Sequence, residues 1–142
     1  MKRILPLVCL SLLLTYCSTH KSTLTDTANQ LEGRWELTLF TPGGKEFAEM
    51  AGQRRPELIF RTAEKKVSGT TGCNQLSGSY TVSASSFQFG THMALTKMAC
   101  PAYDETAFLN AMTSINRFVI NNDQLQFLQD STLVMTFSKK PR

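Results

Sequence analysis

Apolar residues at every second position, in one short run after another, constrain this chain more than any other feature. Trp35, Leu37 and Leu39 alternate with Glu36 and Thr38. Leu58 and Phe60 alternate with Glu57 and Arg61, with Ile59 interrupting the polar face. Phe87 and Phe89 alternate with Ser86 and Gln88, and Leu125 and Phe127 with Gln124 and Gln126. Leu133, Met135 and Phe137 alternate with Thr132, Thr136 and Ser138. A period of two belongs to a strand with one face buried, and many such runs in series predict an antiparallel sheet. Turn chemistry separates the runs at Thr41-Pro42-Gly43-Gly44, Gly69, Gly78, Asn121-Asn122-Asp123 and Asp130-Ser131.

The segment from Pro101 to Ser114 breaks the pattern. Pro101 suits the first turn of a helix, where its missing N–H is harmless. Asp104 and Glu105 suit the positive end of the helix dipole. Phe108, Ala111 and Met112 then fall on one face at helical spacing. The expected fold is α+β: about eight antiparallel strands in a small, strongly coiled or cracked β-barrel-like sheet, with one main packed helix. Coiling limits exposed edges.

The ends of the chain carry different information. Lys2 and Arg3 precede an apolar run from Ile4 to Leu14, interrupted by Pro6 and Ser11. As a helix this run is roughly 16 Å long at about 1.5 Å per residue, short of the ~30 Å bilayer core, and it fits the apolar part of an export signal. Leu14-Thr15-Tyr16-Cys17 resembles a bacterial lipoprotein box, in which the cysteine is lipidated and becomes the new N-terminus. Tyr16 departs from that pattern, which has a small residue before the cysteine; an ordinary secretory signal is the competing reading. Residues 1–16 are thus expected as a signal peptide, and residues 17–30, rich in Ser, Thr, Lys, Asp and Asn, as a solvated tether behind lipidated Cys17. Residues 31–140 are expected as a single domain.

Of four cysteines, Cys9 leaves with the signal and Cys17 takes the lipid. Cys73 and Cys100 remain, and an even number in an oxidising compartment predicts a disulfide between them. Cys73, His92 and Cys100 could be read as metal ligands, but no Cys-x-x-Cys or His-x-x-x-His spacing supports them, and no metal is expected. A redox-active pair stays open, because Cys100 lies near a helix start. The chain has 15 basic and 11 acidic residues, and losing Lys2 and Arg3 lowers its net charge of +4 by two. The doublets Arg54-Arg55, Lys65-Lys66 and Lys139-Lys140 are scattered without interleaved aromatics, so nucleic acid is not an expected partner.

Several local sequences resemble the META domain, also called the HslJ-like or DUF306 family. They are Gly33-Arg34-Trp35-Glu36-Leu37, Gly72-Cys73-Asn74, Gly78-Ser79-Tyr80 and Thr96-Lys97-Met98-Ala99-Cys100, then Glu105 with Phe108-Leu109, and the closing Leu125 and Leu133 segments. The resemblance spans about residues 31–138. It implies a small exported or lipid-anchored bacterial protein, with a protozoan branch linked with virulence. It also implies a cracked barrel with a packed helix, similar to the pilot proteins that hold lipid and escort secretins to the outer membrane. The enterobacterial member is heat-inducible and associated with novobiocin resistance. The family has no established catalytic residues. Gly72 and Gly78 are expected at tight or closely approached backbone, Tyr80 and Trp35 in the core, and Asn74 bonded to a turn.

No enzyme is expected. Ser77-Gly78-Ser79 lacks the nucleophile-elbow pattern, Gly43-Gly44-Lys45 lacks phosphate-loop spacing, His20 falls in the tether, and His92 has no second catalytic residue beside it. No cofactor is implied. The leading expectation is a non-catalytic envelope lipoprotein with a binding or assembly role, held by its lipid at the outer membrane and facing the periplasm. Ser18 after Cys17 is compatible with that sorting. A carrier or chaperone for an apolar ligand is the alternative; it expects Phe87, Phe89, Phe118, Ile120, Leu125 and Phe127 to line a cavity. A structural stress-response protein is a third reading. The sequence identifies no binding residue.

Overall fold

The computed structural model describes residues 28–41, 45–46, 54–100 and 105–141. The expected signal peptide, Cys17 and most of the expected tether lie outside the described residues. So do Pro42-Gly43-Gly44, Pro101 and Asp104.

Among the described residues ten strands run β1 (Gly33–Phe40), β2 (Lys45–Glu46), β3 (Glu57–Arg61), β4 (Lys66–Thr70), β5 (Gln75–Ser83), β6 (Ser86–Phe89), β7 (Ala94–Leu95), β8 (Arg117–Asn121), β9 (Gln124–Gln129) and β10 (Thr132–Lys140). The helix α1 (Glu105–Ser114) enters between β7 and β8. The order β1-β3-β4-β5-β6-β8-β9-β10, with β10 returning to β1, closes an antiparallel barrel. The two-residue strands β2 and β7 pair with β1 and β5 outside that circuit. Among the described residues the molecule is mostly β, with one helix of length.

The alternation read from the sequence fills the barrel. Trp35, Leu37, Leu58, Phe60, Phe87, Phe118, Leu125, Phe127 and Phe137 are all buried and form one core. Phe87 sits at its centre: its ring centroid lies 4.8 Å from Phe89, 4.9 Å from Phe127, 5.4 Å from Tyr80, 5.9 Å from Phe118 and 6.0 Å from Phe60. A barrel of eight strands leaves an interior that side chains fill, and here they do. The helix buries Phe108, Ala111 and Met112 as its spacing predicts. Phe108 packs on Phe40 at the end of β1, with centroids 6.2 Å apart.

Two glycines placed at turns by the sequence lie inside strands. Gly69 pairs with Leu58 on one side and Leu76 on the other, in mid-sheet. Gly78 pairs with Val67, and a Cβ there would stand 2.2 Å from the Met93 sulfur. Its missing side chain therefore makes room for a methionine crossing the strand, a close approach rather than a reversal. Thr136 is also buried, where strict alternation makes it outward-facing. Met135 and Phe137 on either side of it keep the inward face, whereas a register shift between Leu133 and Met135 leaves Leu133 half-buried and Val134 buried.

Residues 28–30, the last three of the expected tether, form a helical turn ahead of β1. Leu31 follows, fully buried, and its carbonyl accepts the Trp35 Nε1 proton at 2.7 Å. The Lys139 ammonium lies 5.0 Å over the Trp35 ring.

The barrel has one thin seam. Strands β1 and β10 pair along their length, from Arg34↔Lys140 to Phe40↔Met135. Strands β6 and β8 share a single pair, Ser86↔Arg117. The Phe87 N–H donates to Asn116 O at 3.0 Å and the Phe118 N–H to Ser85 O at 3.1 Å. Past these bonds the two strands slip by one another.

Candidate functional site

The Gly-Cys-Asn and Thr-x-Met-x-Cys sequences meet at the α1 end of the barrel. Gly72 has φ +101°, and a Cβ there would lie 2.6 Å from the Arg54 carbonyl oxygen, so this turn requires glycine. The turn brings Cys73 to Cys100, and the two are joined in a disulfide with Cα atoms 6.2 Å apart.

Asn74 is buried beside them and uses its whole amide. Its Oδ1 accepts the Met98 N–H at 2.7 Å and the Thr96 hydroxyl at 2.8 Å. Its Nδ2 donates to Glu105 Oε2 at 2.8 Å and to Met98 O at 3.3 Å. Thr71 is fully buried too; its hydroxyl donates to Glu105 Oε1 and accepts the Asn74 N–H at 2.9 Å. The carboxylate of Glu105, the first residue of α1, thus ties the helix to the β4–β5 turn. Asn74 was legible in the sequence as a turn residue. Its grip on a loop 22 to 24 residues later was not, because no local pattern encodes that distance.

The outcome is a polar clamp. Residues 96–100 are held by Asn74 at one end and by a covalent bond at the other. Met98 is bound on both sides of its peptide while its side chain stays 63 % exposed. Replacing Asn74 by Ala removes the donor to Glu105 Oε2 and the acceptor of the Met98 N–H, leaving Glu105 only its Thr71 bond among the described residues. The expected loss is about 2–3 kcal/mol in urea unfolding, with faster amide exchange at Thr96 and Met98.

His92 is exposed, with its Nδ1 3.0 Å from the Thr91 hydroxyl, and is not brought to the cysteines as a ligand would be. Tyr80 is 2 % exposed and stacks on Phe87. Burial, and then the negative charge of Glu32, push its phenol above the ordinary value of 10.0. The folded tyrosine therefore keeps its proton to higher pH than the unfolded one. Its contribution to stability is complete below pH 10 and is lost as pH rises through the folded value. We expect Tyr80→Phe to flatten the fall in stability above pH 10, read from melting temperature against pH.

A second feature lies along the thin seam. A groove of about 420 Å³ runs between the β6–β7 segment and α1, walled by Phe89, Met93, Leu95, Leu109, Met112 and Ile115. Of the six residues expected to line a carrier's cavity, only Phe89 borders it. Phe87, Phe118, Leu125 and Phe127 fill the core instead, and Ile120 packs against it. The cavity expected inside the barrel is occupied by aromatic rings, and the open apolar space is outside, under the helix.

Fold and clamp together define a small stapled β-barrel closed at one end by a helix. The family model of the META domain matches residues 27–142, and the chain belongs to that family. The chain is similar to a protein from Burkholderia xenovorans solved by NMR, with 29 % identity and a TM-score of 0.65 over 82 % of this chain and 88 % of that one. It is similar in fold to a second NMR structure, at 22 % identity and TM-score 0.60, covering 80 % of this chain and 94 % of that one. The crystal structure of a DUF4847 family protein from Bacteroides vulgatus shares the fold at 11 % identity and TM-score 0.55, covering 79 % of this chain and 95 % of that one. No protein in the curated set matches the chain.

Proposed function

We propose that this META domain is a non-catalytic binding or assembly module of the cell envelope. In this reading residues 1–16 export it, Cys17 carries the lipid, and the domain faces the periplasm from the outer membrane. Met98 is the observation that carries the binding role. Of the described large apolar side chains it is the exposed one, and the clamp fixes the loop that presents it. A flexible apolar side chain on a rigid loop is a favourable anchor, because ordering the loop has already been achieved in folding. Of the residues that mark the family, Cys73, Asn74, Thr96, Met98, Cys100 and Glu105 are occupied in building that clamp and Trp35, Tyr80, Phe108 and Leu125 in the core, which favours a scaffold over a reaction centre.

Site-specific photo-crosslinking in intact cells tests this. A photoreactive residue at Met98 should give a discrete adduct, and one at exposed Thr81 on β5 should not. Equal labelling at both positions, or none at either, would count against the binding role. The groove under α1 favours a second reading, a carrier for an apolar ligand. An apolar molecule co-purifying in stoichiometric amount would support it. A stress or drug-resistance role would appear as greater sensitivity of a deletion strain to heat or membrane-impermeant drugs.

A further inference from the structure

Strands β6 and β7 behave as one interrupted strand along β5. Ser86–Phe89 pair with Tyr80–Ser83, and Ala94–Leu95 pair with Leu76–Ser77. The Gly90 N–H donates to Ser79 O at 2.8 Å and the Thr96 N–H to Gln75 O at 3.1 Å. In an antiparallel ladder the facing backbone groups alternate, so these bonds fix which residues turn toward β5. Gln88, Gly90, Ala94 and Thr96 do; Phe87, Phe89 and Leu95 turn to the opposite edge. Phe87 uses its N–H there, on Asn116. The N–H and C=O of Phe89 and of Leu95 have no hydrogen-bond partner among the described residues. Both residues wall the apolar groove.

Two residues whose backbone groups face away from β5 beside an apolar groove offer the geometry of strand addition. The charge that flanks this edge along the backbone narrows the choice of occupant. Arg117 bridges to Ser86 at one end, and Lys97 follows Leu95 by two residues at the other. Both are exposed, and neither has a carboxylate partner among the described residues. We propose that this edge receives an extended segment of another protein, with alternating apolar residues in its middle and acidic residues at its ends. The segment lies as an added strand between β6–β7 and α1. This deepens the binding-module reading and rests on it.

Two other occupants fit less well. An acyl chain would satisfy the apolar walls but leave the backbone groups of Phe89 and Leu95 unpaired in a drier setting, which is unfavourable. A second copy pairing edge to edge and antiparallel would set Arg117 of one copy against Lys97 of the other, like charge on like.

The test is an NMR titration of the isotope-labelled chain with a synthetic peptide of about ten residues. Its centre alternates valine or leucine with threonine, and two glutamates stand at each end. The expected result is that the amides of Phe89 and Leu95 shift most and exchange at least about tenfold more slowly. A lysine-ended peptide should bind roughly three- to tenfold more weakly, and Lys97→Glu with Arg117→Glu should reverse that preference. Both substitutions are on exposed side chains, so the fold should be retained, which the unchanged spectrum of the core would show. A peptide methylated on the amides facing β6–β7 should not bind. No change at Phe89 and Leu95 with the glutamate peptide at about 1 mM would overturn the proposal. So would a response to decanoate alone, which would make the groove an acyl site, or the same shifts arising from dimerisation without peptide. The cross-link at Met98 is read independently, so failure of the peptide leaves a positive Met98 result standing.

Discussion

Phe87→Ala is expected to cost about 3–5 kcal/mol, the range for removing a buried phenylalanine. Its ring touches five other aromatic rings drawn from β3, β5, β6, β8 and β9. No neighbour can move in without abandoning contacts of its own, so the void persists and the upper part of that range applies. Phe87 is also the residue whose N–H closes the thin seam on Asn116. The substitution should therefore loosen β6 from β8 first, seen as early amide exchange at Phe87 and Phe118, before global unfolding. Denaturant unfolding measures the total. A loss below about 1 kcal/mol would mean that the core is not the filled aromatic cluster described here.

Removing the disulfide is the second large effect. The bridge closes a loop with sequence separation 27, which corresponds to about 3.5 kcal/mol of lost chain entropy in the unfolded state. Against a total of roughly 5–15 kcal/mol for a domain this is a major share. Paired Cys73→Ser and Cys100→Ser substitutions should lower stability by about that amount while the aromatic near-ultraviolet signature of the core persists. Asn74 holds the same loop by hydrogen bonds, so the disulfide and Asn74→Ala should not be additive. With the bridge gone, Asn74 and the Gln75–Thr96 hydrogen bonds keep residues 96–100 on the barrel, and the loss of Asn74 should then release Met98 to Cys100. Strict additivity would show that the two restraints act on separate parts of the fold.

Much of the architecture was legible because burial on one face writes itself into neighbouring residues. Trp35 and Leu37, Leu58 and Phe60, and Leu125 and Phe127 follow period two and lie inside the barrel. The α1 residues Phe108, Ala111 and Met112 follow helical spacing and are buried as a face. What escaped the sequence depends on partners far along the chain. Gly69 and Gly78 look like turn residues because glycine is common in turns, yet each answers to a strand or side chain crossing it. Val134 is buried and Leu133 only half-buried, beside a register shift between Leu133 and Met135. The continuity of β6 with β7, and the single pair that joins β6 to β8, are matters of strand neighbourhood. No short-range pattern encodes which strand lies beside which. The clamp was half legible: the cysteine pair follows from counting, whereas Asn74 reaching Thr96, Met98 and Glu105 follows only from the folded chain.

Intact mass spectrometry of the protein purified from its own membranes tests the proposed lipid-anchored, stapled binding module most directly. The sample is divided and alkylated with and without prior reduction. The account predicts an N-terminus at Cys17 bearing acyl mass, and no alkylated thiol until reduction exposes Cys73 and Cys100. An unlipidated chain cut elsewhere would contradict the anchor, and two thiols alkylated without reduction would contradict the staple.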